Sequence, residues 1–242
     1  MDVSFGTIWE AIAHDLPDAV AISEPARDYT FAEFSDRASR LAAALEAAGV
    51  GPGDKVACYL YNGAPYLETV FAAFKLGAVP VNANYRYTKH ELTALLADAD
   101  AAALVFSGDL AANVAHAVQT LRSLRLLVRA GPPAVRDVPE LADLYAATAP
   151  RPPSRRPGAD QLFMYTGGTT GKPKGVIWSM SQMQGSMGPG LFTRLGVAPP
   201  ETLDELVEIA ASIRAAGESP VALSTVPLMH ATGLFNAIGT LT

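Results

Sequence analysis

Cysteine is nearly absent from this 242-residue chain, where Cys58 stands alone. A single thiol can form neither an intrachain disulfide nor a cysteine metal cluster, and the simple expectation is a reducing compartment. Long apolar runs are missing too: no stretch approaches the roughly 18 uninterrupted apolar residues of a membrane span. The N-terminal residues have no basic lead-in, and Glu10, His14 and Asp15 interrupt their apolar pattern, so they do not read as a secretory signal. A cytoplasmic protein with no membrane span is expected. Positive charge is scarce as well. With 18 Lys and Arg against 24 Asp and Glu, the net charge is -6, and no nucleic acid is expected as a partner. What the chain does have is a hydrophobic half, enough for one large domain or two small ones.

Helix and strand signals alternate along the first 130 residues. Thr30 and Glu33 have capping-box spacing, Phe34, Ala38, Leu41, Ala42 and Leu45 follow at helical spacing, and Gly49 stands where a helix would end. Residues 56–60 read as a buried strand, Asn62 as the cap of a helix closed by Gly77, and residues 78–81 as a short strand. Thr88 and Glu91 repeat the capping-box spacing before Leu92, Leu95 and Leu96. Residues 102–106 and 124–128 look like two further strands with a helix between them. Such alternation predicts an α/β fold: a mostly parallel sheet covered by helices on both faces. Residues 131–159 change texture, with prolines at 132, 133, 139, 150, 152, 153 and 157, and read as a surface connection holding one short helix over 141–147. Residues 160–242 form the third part.

That third part opens on Gln161-Leu-Phe-Met-Tyr165, runs through Thr166-Gly-Gly-Thr-Thr-Gly-Lys-Pro-Lys-Gly175, and continues as Val176-Ile-Trp178. Gly167, Gly168, Gly171 and Gly175 remove side chains that would hold a bulky anion away from backbone N–H groups. Thr166, Thr169 and Thr170 add hydroxyl donors; Lys172 and Lys174 add charge. A polyphosphate needs this combination, and a plain flexible turn does not. The loop is not that of the P-loop NTPases. Thr166 occupies the place of their first glycine, and Pro173 follows Lys172 where they carry Ser or Thr. Pro173 also biases Lys172 away from helix, and the residues after Gly175 favour a strand. A loop between two strands, with no helix starting at Lys172, is predicted. The dinucleotide-binding G-x-G-x-x-G is absent here too.

Tyr165-Thr-Gly-Gly-Thr-Thr-Gly-Lys-Pro-Lys-Gly-Val176 resembles the phosphate-loop signature of the AMP-forming adenylating enzymes, the superfamily of acyl-CoA synthetases, firefly luciferase and peptide-synthetase adenylation domains. The usual signature has Ser at the place of Gly167. Tyr29-Thr-Phe-Ala-Glu-Phe34, Gly49-Val-Gly-Pro-Gly-Asp54, the block from Phe74 to Arg86, and Pro227-Leu-Met-His-Ala-Thr-Gly233 resemble other blocks of the same family, so the likeness covers nearly the whole chain. It implies that a carboxylate attacks the α-phosphorus of ATP to give acyl-AMP and pyrophosphate, after which coenzyme A takes the acyl group. ATP, coenzyme A and a carboxylic acid are the implied small-molecule partners, with Mg2+ bridging phosphate oxygens. Thr166, Gly167, Gly168, Thr169, Thr170, Gly171 and Lys174 are the implied nucleotide-binding residues. Lys174 and His230 are the implied catalytic residues, and no protein ligand to a metal is assigned.

His230 taken alone reads as a core histidine. The resemblance moves it to the acyl pocket, where it would orient the carboxylate, since an attacking carboxylate has no proton to give up. His14, His90 and His116 have no such context, and residues 221–226 before the His230 block read as a strand. A helix with Leu203, Leu206, Val207, Ile209 and Ile213 behind Thr202 and Glu205 looks like scaffold. The block ending in Tyr85 and Arg86 resembles acyl-CoA synthetases more than peptide-synthetase domains. A fatty or steroid side-chain acid is the first expectation, an aryl acid the second. The family's Tyr-Gly-x-Thr-Glu and Thr-Gly-Asp blocks and its C-terminal domain are not matched. The expectation is a shortened chain, inactive alone and self-associating through apolar surface, with a non-enzymatic remnant as the alternative.

Overall fold

The computed structural model describes residues 2–166 and 174–242, with the side chains of 187–191 excepted. Helix α1 (Phe5–Asp15) starts on Ser4, whose hydroxyl accepts the Thr7 N–H. It is followed by a separate antiparallel hairpin, β1 (Val20–Glu24) and β2 (Arg27–Thr30), and by α2 (Phe31–Ala47). Then come β3 (Lys55–Tyr59), α3 (Ala64–Leu76), β4 (Val79–Asn82), α4 (Lys89–Asp98), β5 (Ala101–Ser107), α5 (Ala111–Thr120) and β6 (Leu126–Ala130). Helix α6 (Leu141–Ala147) falls inside the proline-rich stretch. Strands β7 (Gln161–Thr166) and β8 (Lys174–Ser179) precede α7 (Met180–Leu195), α8 (Leu203–Ala215) and α9 (Ala231–Leu241).

Six strands form one sheet in the order β6-β5-β3-β4-β7-β8, parallel except for the antiparallel β7–β8 pair. Both faces are covered, because alternate strand residues point opposite ways. Val56, Cys58, Leu162 and Met164 pack with α1, α2, α3, α6, α7 and α9. Ala57, Tyr59, Phe106 and Tyr165 pack with α4 and α5. The first layer centres on Trp9, whose ring lies 4.6–4.9 Å from those of Phe31, Phe34 and Phe71. This is the predicted fold class.

Local signals are realised unevenly. Thr88 and Glu91 close a full capping box, whereas at α2 only Thr30 takes part, because the Glu33 carboxylate pairs with Arg27. Asn62 does not cap α3. Gly63 holds that position, and the Asn62 amide oxygen accepts the Leu228 N–H at 2.7 Å. The strand expected over 221–226 is absent. Pro220 and Pro227 flank it, it pairs with no strand among the described residues, and Val221 and Leu223 are almost fully exposed. The strand expected over 124–128 begins two residues later, at Leu126. The proline-rich stretch is held down against α1: Ser154 N–H donates to Glu10, Arg156 N–H to the Thr7 hydroxyl, and Phe5 N–H to the buried Asp160 carboxylate.

Candidate active site

The hairpin β7–β8 places the residues flanking the glycine-rich loop. Thr166 and Lys174 face each other as the last pair in its register. Directly opposed residues in an antiparallel pair send their side chains to the same face, about 4.5–5.5 Å apart at Cβ. Both side chains are exposed. Gly167, Gly168, Thr169, Thr170, Gly171 and Lys172 lie outside the described residues. Their flanks are strands as expected, and the next helix starts at Met180, not at Lys172.

Period-two alternation decides which face this is. Leu162, Met164 and Thr166 share one side of β7, paired with Trp178, Val176 and Lys174 of β8. The indole of Trp178 meets the Phe235 ring of α9 edge-on at 5.0 Å. Helix α9 therefore covers the face to which Thr166 and Lys174 point. Its N-cap is His230, exposed, with extended backbone (φ -106°, ψ 143°) and no side-chain capping bond. The imidazole thus stands free of the helix it begins.

One buried side chain joins these two parts. Asn82, at the end of β4, accepts the Tyr165 N–H through Oδ1 at 2.5 Å. Its Nδ2 donates to the Tyr165 carbonyl at 3.1 Å and to the Met229 carbonyl at 2.6 Å. Strands β4 and β7 pair only at Val81 and Phe163, so the Asn82 amide continues the ladder where the backbone stops. The residue before Thr166 and the residue before His230 are thereby fixed to one amide. Asn62 holds Leu228 beside it. Gly233 lets the first turn of α9 close onto the same segment, since a Cβ there would sit 2.5 Å from the Pro227 carbonyl oxygen and 2.6 Å from that of Val226.

Sequence reasoning missed Asn82, Asn62 and Gly233 as parts of the site. Asn82 lay inside a quoted family block, but nothing in a linear sequence says that an asparagine after a strand will reach two distant carbonyls. On the other face, the Tyr165 hydroxyl donates to Asp98 at 2.6 Å, and burial followed by that carboxylate pushes the phenol well above its usual range. Tyr165 also covers Gly175, where a Cβ would come within 3.0 Å of its ring. The hairpin is anchored on both sides.

The AMP-binding enzyme family matches residues 9–242. The chain belongs to that family. Medium-chain acyl-CoA ligase Mig of Mycobacterium avium is 32% identical over 96% of this chain and 45% of its own length. A 3-oxocholest-4-en-26-oate–CoA ligase of Rhodococcus rhodochrous is 34% identical over 73% of this chain and 33% of its own length. The chain thus spans less than half the length of these curated relatives. Among solved structures, a putative long-chain-fatty-acid CoA ligase of Rhodopseudomonas palustris superposes with a TM-score of 0.75 at 22% identity. The match covers 99% of this chain and 56% of that one, and it shows the shared fold. The N-terminal domain of FACL13 from Mycobacterium tuberculosis gives 0.72 at 24% identity, over 100% and 55% of the two chains.

No helix among the described residues of this AMP-binding chain is long and apolar enough to cross a membrane. Nor does any group of three His, Cys, Asp or Glu come together among them.

Proposed function

We propose that the whole protein containing these residues is an AMP-forming acid–thiol ligase. Its first step joins a carboxylic acid to the α-phosphorus of ATP, and its second passes the acyl group to coenzyme A. The observation that carries this reading is the fixing of the Thr166–Lys174 hairpin end and the His230 turn to the single amide of Asn82, on one face of one sheet. A carboxylate oxygen attacks phosphorus while the bond to pyrophosphate breaks, and negative charge grows on the departing bridging oxygen. The Lys174 ammonium and the Thr166 hydroxyl, with Thr169, Thr170 and the amides of Gly167, Gly168 and Gly171, stabilise that charge more in the transition state than in the ground state. His230 orients the carboxylate by hydrogen bonding.

The thiol sulfur of coenzyme A then attacks the acyl carbon, the bond to AMP breaks, and the thiol proton leaves to solvent. A fatty or steroid side-chain acid is the substrate class. It is supported by relatives named for medium-chain acyl and 3-oxocholest-4-en-26-oate substrates, which cover 96% and 73% of this chain. An aryl acid is the second reading, favoured by a feruloyl-CoA synthase of Amycolatopsis that is 42% identical over 66% of the chain.

Acid-dependent exchange of labelled pyrophosphate into ATP tests this reading. Exchange with medium- or long-chain acids that Lys174→Ala abolishes is the expected result. Exchange with ferulate alone would select the aryl reading. No exchange with any acid, together with no ATP binding, would leave a non-enzymatic role.

A further inference from the structure

Helix α8 does not bury the apolar face that its sequence builds. Leu206, Ile209, Ala210 and Ile213 recur at helical spacing, yet only Leu206 is buried. The helix hangs between two left-handed glycines, Gly196 and Gly217, with Pro199, Pro200 and Pro220 in its connections. Together with Phe5, Ile8 and Ile12 of α1, its apolar face lines a cavity of about 410 Å³. Protein interiors are packed as densely as organic crystals, so two apolar helix faces around such a volume leave contacts unmade. The volume is that of a small-molecule site.

Among the described residues that line it, Arg214 alone has a charged side chain. Arg214 is exposed, so it stands at the mouth, and it pairs with no acid among the described residues. The acids of α8 are engaged elsewhere. Asp204 and Glu208 border a separate cleft with His14 and Asp15 of α1, and Glu205 accepts the Glu201 N–H at 2.8 Å. An apolar chamber with one free guanidinium at its opening suits a long apolar body with a single anionic head, and a carboxylate matches the planar fork of arginine. A nucleotide would set several charges against apolar walls, which is costly. The chamber also lies away from His230. That residue caps the start of α9, whereas the cavity touches residues 239–242, roughly 16 Å along the helix at about 1.5 Å per residue.

We propose that the chamber between α1 and α8 is a second binding site for a fatty acid, with the chain lying between the two helices and the carboxylate on Arg214. An acid bound there has its carboxylate at the opposite end of α9 from His230, so it is held without being activated. Helix α8 is the movable wall of the site, and an occupant supplies the contacts that its apolar face lacks. The site stands on the cavity and on Arg214, and it does not depend on the reading of the whole protein as a ligase.

The probes are dodecanoate and dodecanol, each titrated into the chain below the concentration at which it aggregates. Ala210→Phe puts a ring into the chamber and should weaken dodecanoate binding about tenfold or more. Arg214→Gln, at an exposed position, should weaken dodecanoate binding about threefold, the scale of an exposed ion pair, and leave dodecanol unchanged. Urea unfolding of each variant reports the fold, and Arg214→Gln carries the test alone should Ala210→Phe not fold. Location is read with ω-bromododecanoate, whose heavy atom quenches nearby indoles. In Trp178→Phe the remaining indole is Trp9, stacked on the Phe31 that lines the chamber, and the bound acid should quench it. Undiminished dodecanoate binding in a folded Ala210→Phe chain, bound bromo acid that leaves Trp9 unquenched, or no binding up to the solubility limit would each overturn the site. Equal losses of acid and alcohol in Arg214→Gln would overturn the carboxylate contact. Quenching of Trp9 in a whole protein that shows no acid-dependent pyrophosphate exchange would keep the chamber and sink the ligase reading.

Discussion

Asn82 binds Tyr165 through both ends of one side-chain amide, taking its N–H and giving to its carbonyl, and still has a hydrogen for Met229. All these groups are buried, so each bond replaces a desolvated and otherwise unpaired group. Leaving one such group without a partner costs about 1–3 kcal/mol. Asn82→Leu should therefore destabilise the chain by roughly 3 kcal/mol or more, measured by urea unfolding. Its Tyr165 amide should also lose protection from hydrogen exchange. Asn82→Asp should be no milder near neutral pH, because a carboxylate would face two carbonyls it cannot donate to. A Leu variant with unchanged stability and exchange would show that Asn82 does not tie the two segments together.

Gly233→Ala offers a second test of the same turn. The new methyl would press on the Val226 and Pro227 carbonyl oxygens, backbone atoms that cannot rotate away. A loss of about 1–3 kcal/mol is expected for such overpacking. The His230 ring should also change environment, seen as shifted imidazole resonances. Unmoved resonances in Gly233→Ala would mean that the turn tolerates the methyl without displacing His230.

Lys174 and His230 are expected to fail differently in the whole protein. Lys174→Ala should impair adenylation far more than thioester formation from pre-made acyl-AMP, because the proposed function matches its charge to the phosphates. His230→Ala should raise the KM for the acid while ATP binding stays nearly constant. Equal losses in both half-reactions for Lys174→Ala would remove it from the phosphate site.

Asp160 gives the fold a pH dependence. Burial raises its carboxyl from 3.8 to about 6, against the lowering effects of the Phe5 N–H and Arg156. A carboxyl with a higher pKa folded than unfolded binds protons preferentially in the folded state. Stability should thus increase as pH falls from about 6 towards 4, and the charged form should cost stability above 6. The shift is equivalent to at most about 3 kcal/mol. Asp160→Asn should flatten this part of the stability–pH curve, measured by thermal unfolding at stepped pH. Identical curves for the two chains would assign the dependence to other groups.

The outer edge of β8 is an exposed apolar surface at which the self-association expected from the sequence can be tested. Strand β8 pairs only with β7 among the described residues, and Val176 and Ile177 are 43% and 55% exposed. Ile177→Lys should reduce any concentration-dependent oligomer on a sizing column, since a charge on an edge strand blocks further pairing. Equal oligomer in both chains would exclude this edge.

Local grammar was legible wherever a short segment decides its own structure. The capping box at Thr88 and Glu91, the left-handed Gly77 that ends α3, and the extended run from Val176 to Trp178 in β8 are all decided within a few residues, and all appear as expected. Residues 221–226 show where that grammar fails: a β-like composition needs a partner strand, and this segment pairs with none among the described residues. Asn62 shows the same limit, because its side chain had two possible partners and took the distant Leu228 in place of the adjacent helix. The sequence by itself determined the alternating fold and the resemblance that led to the family. Only the tertiary structure decided that Thr166, Lys174 and His230 share a face, and that Asn82 holds them there. Those relations join residues 83 and 147 positions apart, where neither spacing nor propensity carries information.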